Sequence, residues 1–214
     1  MQLERWTSPA GKPRVLTRLD PFEGRRYAVA AAIAFPDLRP GPSVFGSPAP
    51  GRPVRLALER RRWRAAIRTT AVGAVSVVAS DVADCFPSIG ECAIRSAAAH
   101  AGGDPLPLLR TLERYREAGG FGIPIGPPVS GVIADAVLSL ADERARLAGC
   151  LPIRWVDDVL FAGERDAVAR ASRAWRDALA ELGMREHDGK RTTDALDVRG
   201  SPVACDRHGI MRGS

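Results

Sequence analysis

Apolar positions follow two rhythms along this 214-residue chain. Residues 71–82, AVGAVSVVASDV, form a nearly unbroken apolar run rich in branched side chains, which predicts a buried strand. In ERDAVARASRAWRDALAELG, by contrast, Val168, Ala171, Trp175, Leu179 and Leu182 recur at helical spacing and predict an amphipathic helix. FEGRRYAVAAAIAF (22–35) reads as a turn entering a short buried helix. GECAIRSAAAHAG and DPLPLLRTLERYREAG predict two more helices, with Pro107 near the start of the second, where it is tolerated. The stiff loop GIPIGPPVSG feeds a small-residue helix, GVIADAVLSLADERARLAG, and LPIRWVDDVLFAG reads as a hairpin. Residues 1–20 are polar and predicted extended, and 36–53 are rich in Pro and Gly and predict a long loop. From Met184 onward, DALDVRG and PVAC suggest short strands and turns. The order predicts an α+β fold, with helices on one face of a largely antiparallel sheet.

Charge adds a partner to this picture. The net charge is +6 and the pI about 9.8, which suits a polyanion. Residues 51–68, GRPVRLALERRRWRAAIR, carry seven Arg and one Glu, so this stretch alone matches the charge of the whole chain. Leu56, Trp63 and Ile67 would line one side of a helix, leaving Arg60, Arg61, Arg62, Arg64 and Arg68 as a cationic surface for phosphates. The bland alternative is a solvated face in a chain whose only lysines are Lys12 and Lys190. No apolar run is long enough to span a bilayer and the N-terminus is no secretory signal, so a cytoplasmic protein without a membrane partner is expected. Cys85, Cys92, Cys150 and Cys205 form no C-x-x-C pair and read as reduced thiols. Cys205 with His208 supplies too few ligands for structural zinc.

One break in the apolar rhythm is chemical. Asp157 and Asp158 sit side by side inside RWVDDVLFAG, between Trp155-Val156 and Val159-Leu160-Phe161. Taken alone, an acidic surface turn explains them. Asp81 ends the apolar strand and Asp84 follows, where a helix cap or a turn is the ordinary reading. If that strand lies beside the hairpin, however, Asp81 meets Asp157 and Asp158, and converging carboxylates need a strong cation. Hard oxygen ligands suit Mg²⁺ or Mn²⁺. Two such ions, ~3.5–4 Å apart, would activate a 3′-hydroxyl and stabilise departing pyrophosphate during in-line displacement.

SDVADCFPSI, GIPIGPPVS and RWVDDVLFAG resemble, in order and approximate spacing, three palm motifs of reverse transcriptases, with Trp155 where Tyr is usual. LAELGMREHDGK is similar to the palm segment that follows. GKPRVLTRLDPFEGRRYAVAAA resembles, more loosely, the basic fingers segment, so the likeness covers about residues 11–200. It implies a right-hand palm over 71–200, an abbreviated fingers-like region over 1–70 and a tail over 201–214. The chain stops at Ser214 with no evident thumb, so either a partner protein or a second copy supplies that grip, or the enzyme is weakly processive, or the chain is a fragment.

Residue by residue, the resemblance implies that Asp81 and Asp157 are principal metal ligands, with Asp158 supporting and the Val82 carbonyl adding a further one. Backbone near Asp84 and Cys85 would touch the triphosphate. Phe86 would lie under the sugar and block a 2′-hydroxyl, core packing being its alternative. Ile125, where many relatives carry Gln, and Gly126 would flank the nucleotide. Lys190 would protonate pyrophosphate, or else be an exposed lysine in a turn. Arg18, Arg25 and Arg26 are candidates for holding the triphosphate. The P-I-G-P sequence is similar to that of abortive-infection and other defence-associated members, which implies an anti-phage role. The expected activity is RNA-directed DNA polymerisation, adding dNTPs to a DNA or RNA primer on an RNA template. The alternatives are a template-independent or protein-primed nucleotidyl transferase, an RNA-templated RNA polymerase, which Phe86 argues against, and an inactive palm-fold scaffold that binds nucleic acid.

Overall fold

The structure is a computed structural model and describes residues 2–7, 13–36, 38, 44–46 and 56–195. Lys12, most of the 36–53 segment, and everything after Ala195, including PVAC, Cys205, His208 and the 201–214 tail, lie outside the described residues.

The polar N-terminus folds as a hairpin of β1 (Gln2–Thr7) and β2 (Pro13–Arg18), paired antiparallel from Gln2↔Arg18 to Thr7↔Pro13. Helix α1 (Pro21–Ala34) follows at once. Asp20 caps it by accepting from the Phe22 and Glu23 amides, each at 2.9 Å, while the Glu23 side chain accepts from the Asp20 amide. This reciprocal box, with Pro21 at the first helical position, sets where the helix begins. Its Tyr27, Ala30, Ala31 and Ala34 are buried in the main core.

Strand β3 (Val44–Phe45) and helix α2 (Leu56–Ala71) lead into β4 (Ser76–Asp81). After the single turn of α3 (Cys85–Ser88) come α4 (Glu91–Ala101), α5 (Leu106–Glu117) and α6 (Pro128–Leu147). The hairpin of β5 (Ile153–Trp155) and β6 (Asp158–Gly163), helix α7 (Arg165–Glu181) and β7 (Thr192–Ala195) complete the described chain.

The main sheet runs β3-β5-β6-β4-β7. All its pairings are antiparallel except β3 with β5, so the sheet is mixed. The expectation of helices on one face is corrected. Four consecutive residues of β6, Val159 to Ala162, are buried. Successive side chains of a strand point to opposite faces, and here they divide between two cores. Val159 and Phe161 join Trp175 and Leu179 of α7, whereas Leu160 and Ala162 join Trp63 and Ile67 of α2. A strand apolar on both sides must be covered on both sides, and α2 supplies the second cover. Residues before 71 therefore contribute to both cores: Tyr27 and Phe35 to one, Phe45 and Trp63 to the other.

Candidate active-site cleft

Strand register builds the site. The β4–β6 ladder ends with Asp81 opposite Asp158, and the Val82 amide then donates to the Asp157 carbonyl at 3.2 Å. On the other side, residues 185–187 run along the end of β4. The His187 amide donates to the Asp81 carbonyl at 2.8 Å, and the Ala83 amide to the Arg185 carbonyl at 2.9 Å. Lys190 follows in a turn, and its Nζ donates to Asp81 Oδ2. Asp81 is only 3% exposed, and its Oδ1 is buried without a hydrogen-bond partner among the described residues.

These groups open onto a cleft of about 340 Å³. Of the residues singled out in the sequence, Asp81, Val82, Asp84, Cys85, Phe86, Ile125, Asp157 and Lys190 line it. Asp158 stands behind them as the strand partner of Asp81. Gly126 serves backbone packing: its φ is 122°, and a Cβ there would lie 3.0 Å from the Thr17 carbonyl oxygen. Next to it, the Thr17 amide donates to the Ile125 carbonyl at 2.7 Å, which docks the N-terminal hairpin onto this loop.

The three arginines expected at the triphosphate do not line the cleft. Arg18 is exposed and paired with Glu4 at 3.1 Å, and Arg25 is exposed on α1. Arg26 lies over the Phe22 ring at 5.7 Å, beside a separate small pocket. Arg25 and Arg26 lie on the exposed side of helix α1, whose buried face packs on α5 and α6. Arg14, in β2, lines the cleft. Sequence reasoning also passed over Tyr115, Phe121 and His187, which line the cleft. Phe121 is 77% exposed, and the signal for it was an aromatic residue flanked by Gly120 and Gly122, where little can cover it.

Electrostatics follow from this crowding. Burial, then the negative charges of Asp81 and Asp158, push the Asp157 carboxyl up to about 7, only partly opposed by a backbone hydrogen bond and by Lys190. Burial works against the charge of Lys190. The hydrogen bond to Asp81 and the charges of Asp81, Asp158 and Asp157 outweigh it, so its ammonium titrates above the usual range. Burial and then Asp157 raise the Cys85 thiol well above its ordinary value, which makes it an inert wall of the cleft.

The metal expectation is corrected as well. Among the described residues, no three His, Cys, Asp or Glu side chains form a group that could hold a metal ion. The pair of Mg²⁺ or Mn²⁺ ions expected on Asp81, Val82, Asp157 and Asp158 is withdrawn. The repulsion that seemed to require them is relieved otherwise: Lys190 neutralises Asp81, and Asp157 binds a proton near neutral pH.

The Asp157 turn also adjoins the basic surface. Arg60, Arg61, Arg62, Arg64 and Arg68 are all exposed on α2, with Arg62 held by Glu59 at 3.0 Å. Arg60 lies over the Trp155 ring at 5.6 Å, and Trp155 packs against Trp63 at 5.6 Å. No helix among the described residues is long and apolar enough to cross a membrane.

No protein-family model matches the sequence, and no curated protein matches it. The likeness to reverse transcriptases therefore rests on short motifs, which fix few positions. These comparisons show no family for the chain, and the expected anti-phage role is withdrawn.

Proposed function

We propose that the cleft carries out nucleotidyl transfer, joining a dNTP to the 3′-hydroxyl of a DNA or RNA primer on an RNA template. On this reading, residues 71–200 act as a polymerase palm. The observation that carries the reading is the meeting of Asp81, Asp157 and Lys190 in one cleft, with the Asp157 carboxyl pushed up to about 7. A carboxylate with that affinity accepts the hydroxyl proton as the phosphorus–oxygen bond forms. Lys190, two residues along a turn from Asp188, offers a cation, and a proton, to the departing pyrophosphate. Arg14 lies in the same cleft for a phosphate, and Phe86 supplies an apolar surface for the sugar. A volume of 340 Å³ is in the range of small-molecule sites of ~300–1,000 Å³. The arginines of α2 would hold template or primer phosphates beside Trp155.

A second reading has an observation in its favour. Lys190 already neutralises Asp81, and no metal-binding group of side chains forms among the described residues, as suits a scaffold that binds nucleic acid without catalysis. Primer extension with labelled dNTPs separates the two. Incorporation that requires the RNA template, and is abolished by Asp157→Asn, supports templated synthesis. Incorporation without template supports a template-independent transferase. No incorporation, with tight and salt-sensitive RNA binding, supports the scaffold.

A further inference from the structure

We propose that Arg154 is a positioning residue: its guanidinium clamps the Val156 carbonyl and so holds the turn that presents Asp157 to the cleft. Arg154 is only 1% exposed, and its planar fork reaches three acceptors in three directions. Nε donates to Asp142 Oδ2 at 2.8 Å, Nη2 to Asp135 Oδ1, and Nη1 to the Val156 carbonyl at 2.8 Å. Asp135 and Asp142 both belong to α6, and Asp142 also accepts from Trp175 Nε1 of α7 at 3.3 Å. One buried side chain thus ties the two helices behind the sheet to the tip of the β5–β6 hairpin.

That tip is strained. Val156 has φ of 54°, a left-handed conformation rarely adopted by a branched residue. Such a conformation persists only where its surroundings over-determine it. Here the Val156 peptide is gripped from both ends, its amide donating to the Phe45 carbonyl at 3.3 Å and its carbonyl accepting from Arg154. The next carbonyl, of Asp157, accepts from the Val82 amide. A buried ion cluster is poor value as a stabiliser, because desolvating its charges offsets their attraction. Only the third bond of the fork, to Val156, reaches the turn that carries Asp157.

The catalytic consequence rests on the nucleotidyl-transfer reading, while the clamp itself is tested without it. Arg154→Lys keeps a positive charge for Asp135 and Asp142 but loses the fork. Val156→Gly removes the conformational penalty at that position. In Arg154→Lys we expect an unchanged far-ultraviolet circular dichroism spectrum and faster hydrogen exchange at the Val82 amide, whose acceptor is the Asp157 carbonyl. Single-turnover incorporation falls roughly tenfold or more with little change in nucleotide KM, because misplacing a reacting group slows the chemical step. Adding Val156→Gly restores protection at Val82 and recovers much of the rate. Unchanged Val82 exchange in Arg154→Lys, or simple additivity in the double variant, overturns the clamp. If Arg154→Lys does not fold, Val156→Pro serves, since it forbids positive φ and leaves the buried charges intact. Val82 exchange at the wild-type rate in that variant overturns the proposal. Should wild type incorporate nothing while Val82 exchange responds as stated, nucleotidyl transfer fails and the clamp stands.

Discussion

Asp157→Asn tests the electrostatics of the cleft through folding stability, independently of catalysis. In the folded chain this carboxyl titrates at about 7 rather than at its ordinary 3.8. The folded state therefore binds the proton more tightly than the unfolded chain does. The sign is unambiguous: Asp157 is tolerated best below pH 4, and stability is lost as pH rises from about 4 through about 7. A difference of roughly three pH units, at ~1.4 kcal/mol each, amounts to about 4 kcal/mol once the group is ionised in both states. About two-thirds of that loss falls between pH 5 and pH 8. Asn carries no charge, so the variant should escape this loss. Urea denaturation of both proteins at pH 5 and pH 8 measures it. The variant should be the more stable protein at pH 8, with most of its advantage gone below pH 4, although incorporation is abolished. A variant with the same pH dependence as wild type, or one less stable at pH 8, would refute the assignment of Asp157 as a half-buried, charge-crowded carboxyl.

Two further outcomes follow from packing. Gly126→Ala places a Cβ at φ 122° and 3.0 Å from the Thr17 carbonyl oxygen, and should cost about 1–3 kcal/mol. It should also speed hydrogen exchange at the Thr17 amide, so an unaltered urea midpoint and exchange rate would contradict the docking role given to that glycine. Trp175 is 0% exposed, lies edge-on to Phe161 at 6.1 Å and donates to Asp142. Trp175→Ala should destabilise the fold by ~3–5 kcal/mol, and a loss under 1 kcal/mol in chemical denaturation would show that α7 is not anchored there.

Much of the local structure was legible because it depends on neighbours a few residues apart. The spacing of Val168, Ala171, Trp175 and Leu179 marks one face of a helix, and that face is buried against the sheet. Of the apolar run expected as a strand over 71–82, Ser76–Asp81 became β4 while Ala71 closes α2, and the acidic pair fell at the turn of the β5–β6 hairpin. The arginine-rich stretch showed its own division: Trp63 and Ile67 are buried, while Arg60, Arg61 and Arg64 are exposed. The sequence also nominated Asp81, Phe86, Asp157 and Lys190, which line one cleft. The branched and aromatic residues that flank Asp157-Asp158 gave no hint that Val156 would turn left-handed, because that conformation is imposed by distant partners.

By itself, then, the sequence determined helix faces, the apolar strand and the placement of acidic groups at chain turns, since each follows from propensity and periodicity within a few residues. Only tertiary structure decided how those charges are balanced. Asp81 is met by a lysine 109 residues away, and Arg154 finds its carboxylates on a helix 12 and 19 residues before it. The second face of β6 is closed by α2, whose apolar side was visible in the sequence although what it covers was not. A carboxylate's partner is set by which strand comes alongside and in what register. Register comes from the whole core packing at once, and no local window contains that information.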